Sequence, residues 1–534
     1  DVRRLASRPE IRQRIREFNP GHMPFLFPEV FLRDRPGFDC LIGNPPWEEL
    51  MADRLGFWTL RFPGLKGMKA ADREQEIQRL EEQRPDLLAE FEDLQAQAEA
   101  MRRVILNGPY PGIGTGDIDL YKAFAWRFLH LSREGGRVGV VLPRSAVAAA
   151  GTAAWREAVL DQGTFEDVCL LTNGAGWVFP EVDVRYTVAL TTFAKGFDSP
   201  VAFCGPFHSL DEYLAGREQR GQAPRQEFAE WSDSLSFPRV PDAKAGAILR
   251  AMKRHPRFDS TEGFEFRPVA ELHATNDRKL FDTDLTNEKL TMPVLTGASF
   301  EIWNPDFGEP YGLADPEEMT AHLLNKARRG TTHGSSAFKG LIIEGPHDHP
   351  SSQARIAFRD VTNPTNQRTT IACLLPPGVA LVNAAPYLLR RSGDEQDEAY
   401  LLGVMCSIPF DWYSRRWVEL HLNFHVLSPM PVPRPDREHP LRVRATEVAG
   451  RLAAVDDRFA DWAEAVGVPV GSLSTEPERS EAIAELDAVV SLLYELSWDD
   501  VEHIFATFHR GWDYGARLAR VKVHYDRWAA EVGQ

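Results

Sequence analysis

The chain has 534 residues, 43% hydrophobic and 26% charged, enough apolar matter for two or three packed domains. No apolar run reaches the ~18 residues that a membrane-spanning helix needs, and the Arg-rich start has no signal-peptide core. Five scattered cysteines without a C-x-x-C pair argue against a zinc site and suit a reducing cytoplasm, and a net charge of -17 means that any grip on a polyanion needs a local basic face.

Candidates for that face are the run Arg3, Arg4, Arg8, Arg12 and Arg14, then Lys326-Ala327-Arg328-Arg329, then Arg415-Arg416. The first strand is Phe38-Asp39-Cys40-Leu41-Ile42, which runs through Gly43 into Asn44-Pro45-Pro46-Trp47. Two prolines fix φ near -65° and remove two N–H groups, so the turn is stiff. Proline also holds the residue before it extended, which fixes Asn44 at the strand's carboxyl end, where open α/β sheets bind ligands. The Asn44 amide oxygen and the Pro45 carbonyl can accept hydrogen bonds from one exocyclic amine, and Trp47 offers a face for a base. Residues 48–107 read as a helical insertion, a surface hairpin or a lid. Gly108 to Gly116 is a Pro/Gly turn. Asp117 or Asp119 then caps a helix with Leu120, Phe124, Phe128 and Leu131 on one face, Tyr121 in the core, and Gly135-Gly136 as its stop.

A buried strand follows over Arg137 to Leu142, ended by Pro143, then a helix near Trp155 to Leu160 and strands over 168–171 and 184–193. In the last, Val184, Tyr186, Val188 and Leu190 alternate with Arg185, Thr187 and Ala189. Alternating strands and helices make residues 1–199 an α/β, doubly wound, Rossmann-like half-domain. Residues 200–438, with short strands, many prolines and no strong helical period, read as a mixed α+β domain, and 439–534 as a helical region. His347-Asp348-His349 reads as an exposed turn, since a metal needs three or more ligands, so no metal is expected. No carboxylate-and-lysine cluster has nuclease spacing.

These segments resemble the N6-adenine DNA methyltransferases of the TaqI-like (gamma) group. The likeness is strongest to the large Asn-Pro-Pro-Trp methylases of type II restriction-modification and of the BREX and DISARM phage-defence systems. It rests on Phe27-Pro28-Glu29-Val30-Phe31 with Gly37-Phe38-Asp39, on Asn44-Pro45-Pro46-Trp47, on Asp119-Leu120-Tyr121-Lys122-Ala123-Phe124, on Gly135 to Pro143 and on Val178-Phe179-Pro180. It covers residues 25–200 well and 260–435 more loosely. It implies S-adenosylmethionine as cofactor, double-stranded DNA as partner, and a flipped adenine whose amine attacks the sulfonium methyl group in line. Asn44, Pro45, Pro46 and Trp47 become catalytic, with Trp47 and Phe179 stacking on either side of the base. Residues 200–438 become a target-recognition domain, with Arg359, Asn366, Arg368, Arg415, Arg416 and Asn423 facing DNA.

One feature departs from the family. Its glycine-rich cofactor loop normally lies well upstream of Asn-Pro-Pro, yet only 43 residues precede Asn44 and hold no such loop. Gly112/Gly114/Gly116 and Gly174/Ala175/Gly176 lack the strand-loop-helix order that such a loop requires. The expectation is therefore the C-terminal portion of a methylase, with the cofactor-binding part on another chain or upstream. The alternative is a non-catalytic DNA-recognition or scaffold subunit of a defence complex. A third option is methylation of another planar amide or amine, such as a glutamine or an RNA base.

Overall fold

The computed structural model describes residues 4, 7–18, 21–184 and 186–533. Arg3, Arg185 and the side chain of Arg14 lie outside the described residues. The chain divides into two compact units. The first comprises Asp1–Arg217, Gln222–Glu230 and Ser234–Phe237, and the second the remainder.

The first unit is α/β. Its six-stranded sheet has the order β1-β2-β4-β3-β5-β6, with β1 Phe38–Gly43, β2 Ser132–Pro143, β3 Gly163–Thr172, β4 Thr187–Lys195, β5 Val201–Phe207 and β6 Gly221–Ala223. β1 runs parallel to β2 and β3 parallel to β5, while β4 is antiparallel to both its neighbours. The sheet is thus mixed rather than uniformly parallel. It also continues past residue 199, because β5 pairs with β3. β4 starts at Thr187, so Val184 and Tyr186 precede it and are exposed. Val188 and Ala189 are both buried, as a central strand covered on both faces requires, and the expected alternation is lost.

Helix α1 (Pro9–Phe18) precedes the sheet. The excursion between β1 and β2 contains α2 (Arg54–Arg61), α3 (Ala70–Gln83) and α4 (Pro85–Leu106). Phe57, Trp58, Ile77, Leu80 and Phe91 give it a small core of its own. Arg54 grips Glu81 through two nitrogens at 2.7 and 2.9 Å. Helix α5 (Leu120–Leu131) then packs on β2, and α6 (Ala153–Gln162) on β3 and β4, where Trp155 meets Phe165 and Phe193 edge-on. Gly135-Gly136 does not stop α5, which ends at Leu131; both glycines lie inside β2. Gly135 has φ 76°, and a Cβ on Gly136 would sit 2.9 Å from the Phe38 carbonyl, so the pair permits close passage beside β1.

The second unit holds two further sheets. One has the order β11-β10-β13-β7, from β7 Glu265–Val269, β10 Arg355–Phe358, β11 Ala372–Leu375 and β13 Tyr387–Ser392. The other has the order β12-β8-β9, from β8 Met292–Leu295, β9 Gly312–Ala314 and β12 Ala380–Leu381. Helices run through the stretch expected to lack them: α7 (Ala243–Lys253), α8 (Pro316–Gly330), α9 (Glu395–Cys406) and α10 (Ile408–Ser414). α9 is buried from Asp397 to Cys406, so it has no polar stripe to mark its period. α11 (Pro440–Ala453) packs on α9, and α12 (Glu476–Leu493) on α11 and on α13 (Gly515–Val532). The helices after residue 439 therefore belong to this same unit.

Candidate active site

The carboxyl ends of β1 and β2 and the loop between β3 and β4 enclose a cleft of about 560 Å³. Such a volume lies within the ~300–1,000 Å³ usual for small-ligand sites. Asn44 lines it with its side chain exposed, beside buried Pro45 and half-buried Trp47. Segment 48–50 is tied down where the Leu120 N–H donates to the Glu48 carbonyl and the Leu50 N–H to the Ile118 carbonyl, both at 2.9 Å. This pairing brings Asp119 and Tyr121 to the cleft wall. The Tyr121 hydroxyl bonds the Ser145 hydroxyl at 2.8 Å, just past the end of β2.

Tyr121 is buried, as expected of a core residue, but it also lines the cleft, a role that helical spacing could not reveal. Burial raises its phenol well above the usual range. Asp119 occupies the helix N-cap without capping it and instead faces Lys122 at 3.5 Å. Burial pushes its carboxyl up and Lys122 pulls it back. Lys122 is itself buried and donates to the Asp117 and Thr115 carbonyls, anchoring the turn before α5.

The opposite wall hangs on Asn173, which is fully buried at the end of β3. Its amide nitrogen donates to the Phe179 and Val182 carbonyls at 2.9 Å, and its oxygen accepts from the Val178 and Phe179 N–H groups at 3.2 and 2.9 Å. One side chain thereby pins the backbone of residues 178–182, the part of the loop that carries Phe179. The sequence offered a weak signal for it, an Asn just after an apolar run.

The aromatic arrangement differs from the expected pair of plates. A base held between two rings needs them parallel and two stacking distances apart. Trp47 and Phe179 are perpendicular, with centroids 6.2 Å apart, and so form one edge-to-face pair. They touch each other because both close the apolar cluster of Leu171, Val188 and Phe207. Tyr186 stands 6.3 Å from Trp47, is 51% exposed, and offers the accessible ring at the mouth. The Trp47 indole N–H is buried without a hydrogen-bond partner in the structure.

The residues expected to face DNA sit in the second unit, and burial overturns two of them. Arg415 and Arg416 are 3% and 7% exposed. Arg415 donates to the carbonyls of Pro364, Asn366, Gln367 and Phe508, and Arg416 to those of Trp412, Arg239 and Thr507. Burial pulls Arg416 down to about 9. These guanidiniums are interior ties, with no donors directed at a phosphate. Arg368 is committed to Asp411 and the Cys406 carbonyl, and Arg359 to the Phe300 carbonyl and Glu301. Asn366 is half-buried with its amide 3.4 Å from the Thr362 hydroxyl, and Asn423 caps a short helix, Phe424–Leu427, by position only. Of the basic run in α8, Arg328 is spent on the Ile343 and Glu344 carbonyls, whereas Lys326 and Arg329 line a groove.

No protein-family model matches the chain, and no curated protein matches it. Among solved structures, the Type IIL restriction-modification enzyme MmeI in complex with DNA aligns with 92% of this chain and 57% of its own, at 13% identity and TM-score 0.42. The Type IIG restriction endonuclease BpuSI aligns with 75% of this chain and 52% of its own, at 14% identity and TM-score 0.27. A DrdV–DNA complex aligns with 78% and 44%, at 11% identity and TM-score 0.30. The chain thus spans about half the length of these proteins, and scores of this size define no common fold. Among the described residues no helix is long and apolar enough to cross a membrane.

Proposed function

We propose that this chain holds the target adenine for N6 methylation of DNA, in a bacterial restriction-modification or phage-defence system, with S-adenosylmethionine as methyl donor. The observation that carries this reading is the exposure of Asn44 at the carboxyl end of β1, in a cleft walled by Pro45, Trp47 and Tyr186. The Asn44 amide oxygen and the Pro45 carbonyl accept the two hydrogens of the adenine amine. That grip localises the nitrogen lone pair and aims it, so the contribution is positioning and electrostatics. The Trp47–Phe179 pair forms the apolar back wall, and the exposed ring of Tyr186 stacks on the base. Tyr186→Ala is expected to weaken capture of a flipped base by ~1–3 kcal/mol, read as lost 2-aminopurine fluorescence in a substituted duplex.

The residues present fit the base and not the cofactor. β1 is the outer strand of its sheet, and among the described residues the cleft around Asn44 holds no glycine loop and no acidic residue at the end of an adjoining second strand. Binding of the cofactor is therefore assigned to polypeptide outside these residues. The same observation favours a second reading, a DNA-recognition subunit without chemistry of its own. Calorimetry tests this division: the 534-residue chain alone should give no binding heat with S-adenosylmethionine, and one-to-one binding would reject the divided site. The main reading is tested in a methylation-free host that expresses the natural assembly. Sequencing of its DNA should find N6-methyladenine at a recurring motif, and unmodified DNA or methylated cytosine would overturn it.

A further inference from the structure

In a protein of net charge -17, the second unit carries a groove of opposite sign. It has a volume of about 760 Å³ and lies between β7, the carboxyl end of α8, the 333–339 loop and Arg391. Five cationic side chains line it, Arg267, Lys326, Arg329, Lys339 and Arg391, against Glu265 and Glu271. The carboxylates are already neutralised. Arg267 bonds Glu265 at 2.7 Å, and buried Arg355 bonds Glu271 at 3.1 and 3.2 Å.

The other four cations keep their charge. Lys326 donates to the Glu271 carbonyl, and Arg391 to the carbonyls of Ala337 and Lys339 at 2.8 and 2.7 Å, all uncharged acceptors. Arg329 and Lys339 are exposed, and no carboxylate pairs with either among the described residues. His349 adds no charge at neutral pH, because burial lowers it to about 4. Four cations from three elements, α8, the 333–339 loop and β13, around an open groove suit a chain of phosphates better than one anionic group, which would need converging donors.

We infer that this groove grips the phosphate backbone of double-stranded DNA, in place of the interior arginines 415 and 416. The assignment rests on the DNA reading above and adds to it where the protein holds the duplex, independently of sequence. The test is fluorescence anisotropy of a labelled 30-base-pair duplex (about three helical turns) with the full chain over a salt series. In Arg329→Glu/Lys339→Glu, affinity at 0.1 M salt should fall at least ~10-fold, and the slope of log K against log salt should shrink by about two phosphate contacts. Arg329→Lys/Lys339→Arg should bind like wild type. Both side chains are exposed, so thermal melting should not move. Unchanged affinity and slope in the charge-reversed variant would overturn the groove and leave the adenine site standing. Failure of the wild-type chain to bind any duplex would overturn both. Displacement of the duplex by polyglutamate at equal charge concentration would reassign the groove to acidic proteins.

Discussion

Asn44→Ala is expected to lower adenine methylation by ~10²–10³-fold or more while leaving the fold intact. The rate effect follows from the loss of one preorganised partner of the reacting group, which costs that much in other polar sites. The stability expectation follows from exposure: the Asn44 side chain stands in the cleft, and truncation of such a residue stays within about ±0.5 kcal/mol. The fraction of N6-methyladenine at the host motif measures the first, and thermal melting the second. Asn44→Asp sharpens the argument. Aspartate keeps an acceptor oxygen at the same reach, so it should retain more activity than alanine if the role is to accept from the amine. An alanine variant at near wild-type rate rejects the role; an aspartate variant no better than alanine shows that the carboxamide N–H groups are needed as well.

The site was legible where its chemistry is local. Asn44-Pro45-Pro46-Trp47 states its own geometry, because proline restricts its neighbour wherever the chain goes, and the cleft at the end of β1 follows from the strand before it. What escaped depends on contacts distant in sequence. The orientation of Phe179 is set by Asn173 and by Trp47, so no reading of Val178-Phe179-Pro180 alone could separate a stacking plate from an edge-on wall. Ser145 carries no sequence signal; only its bond to Tyr121 places it. Tyr186 was assigned to a strand that begins one residue later.

Helices α9 and α10 of the second unit escaped for a different reason. Periodicity exposes a helix through the contrast between a wet face and a dry one, and α9 and α10 have no wet face. The same burial inverted the meaning of Arg415-Arg416. Adjacent arginines usually mark a solvated surface, but here backbone carbonyls and the rings of Phe508 and Trp412, 4.0 and 4.3 Å from the guanidinium carbons, surround them. A charge pattern shows how many cations a segment carries, and only packing shows whether they reach solvent.

The largest effect on stability should come from Asp411→Ala. Asp411 is fully buried at the centre of the second unit. Its carboxylate accepts from the Thr369 and Thr370 N–H groups at 3.1 Å, takes the Nε–H of Arg368, and stands 3.5 Å from Arg415. Alanine there leaves two peptide donors without an acceptor and two partly or wholly buried guanidiniums without an anion. Breaking such a buried pair from one side costs ~3–5 kcal/mol. At ~2–4 °C per kcal/mol for a large domain, melting should drop by roughly 6–20 °C. Asp411→Asn keeps the shape and one acceptor, so its loss should be smaller. Arg415→Ala completes the argument, because two roles predict opposite readouts. An interior tie lowers the melting temperature and leaves the salt slope of DNA binding unchanged at temperatures where the protein is folded. A phosphate contact reduces that slope by about one and leaves melting alone. The carbonyl cage around Arg415 predicts the first result, and a lowered slope with unchanged melting would return this arginine to the DNA.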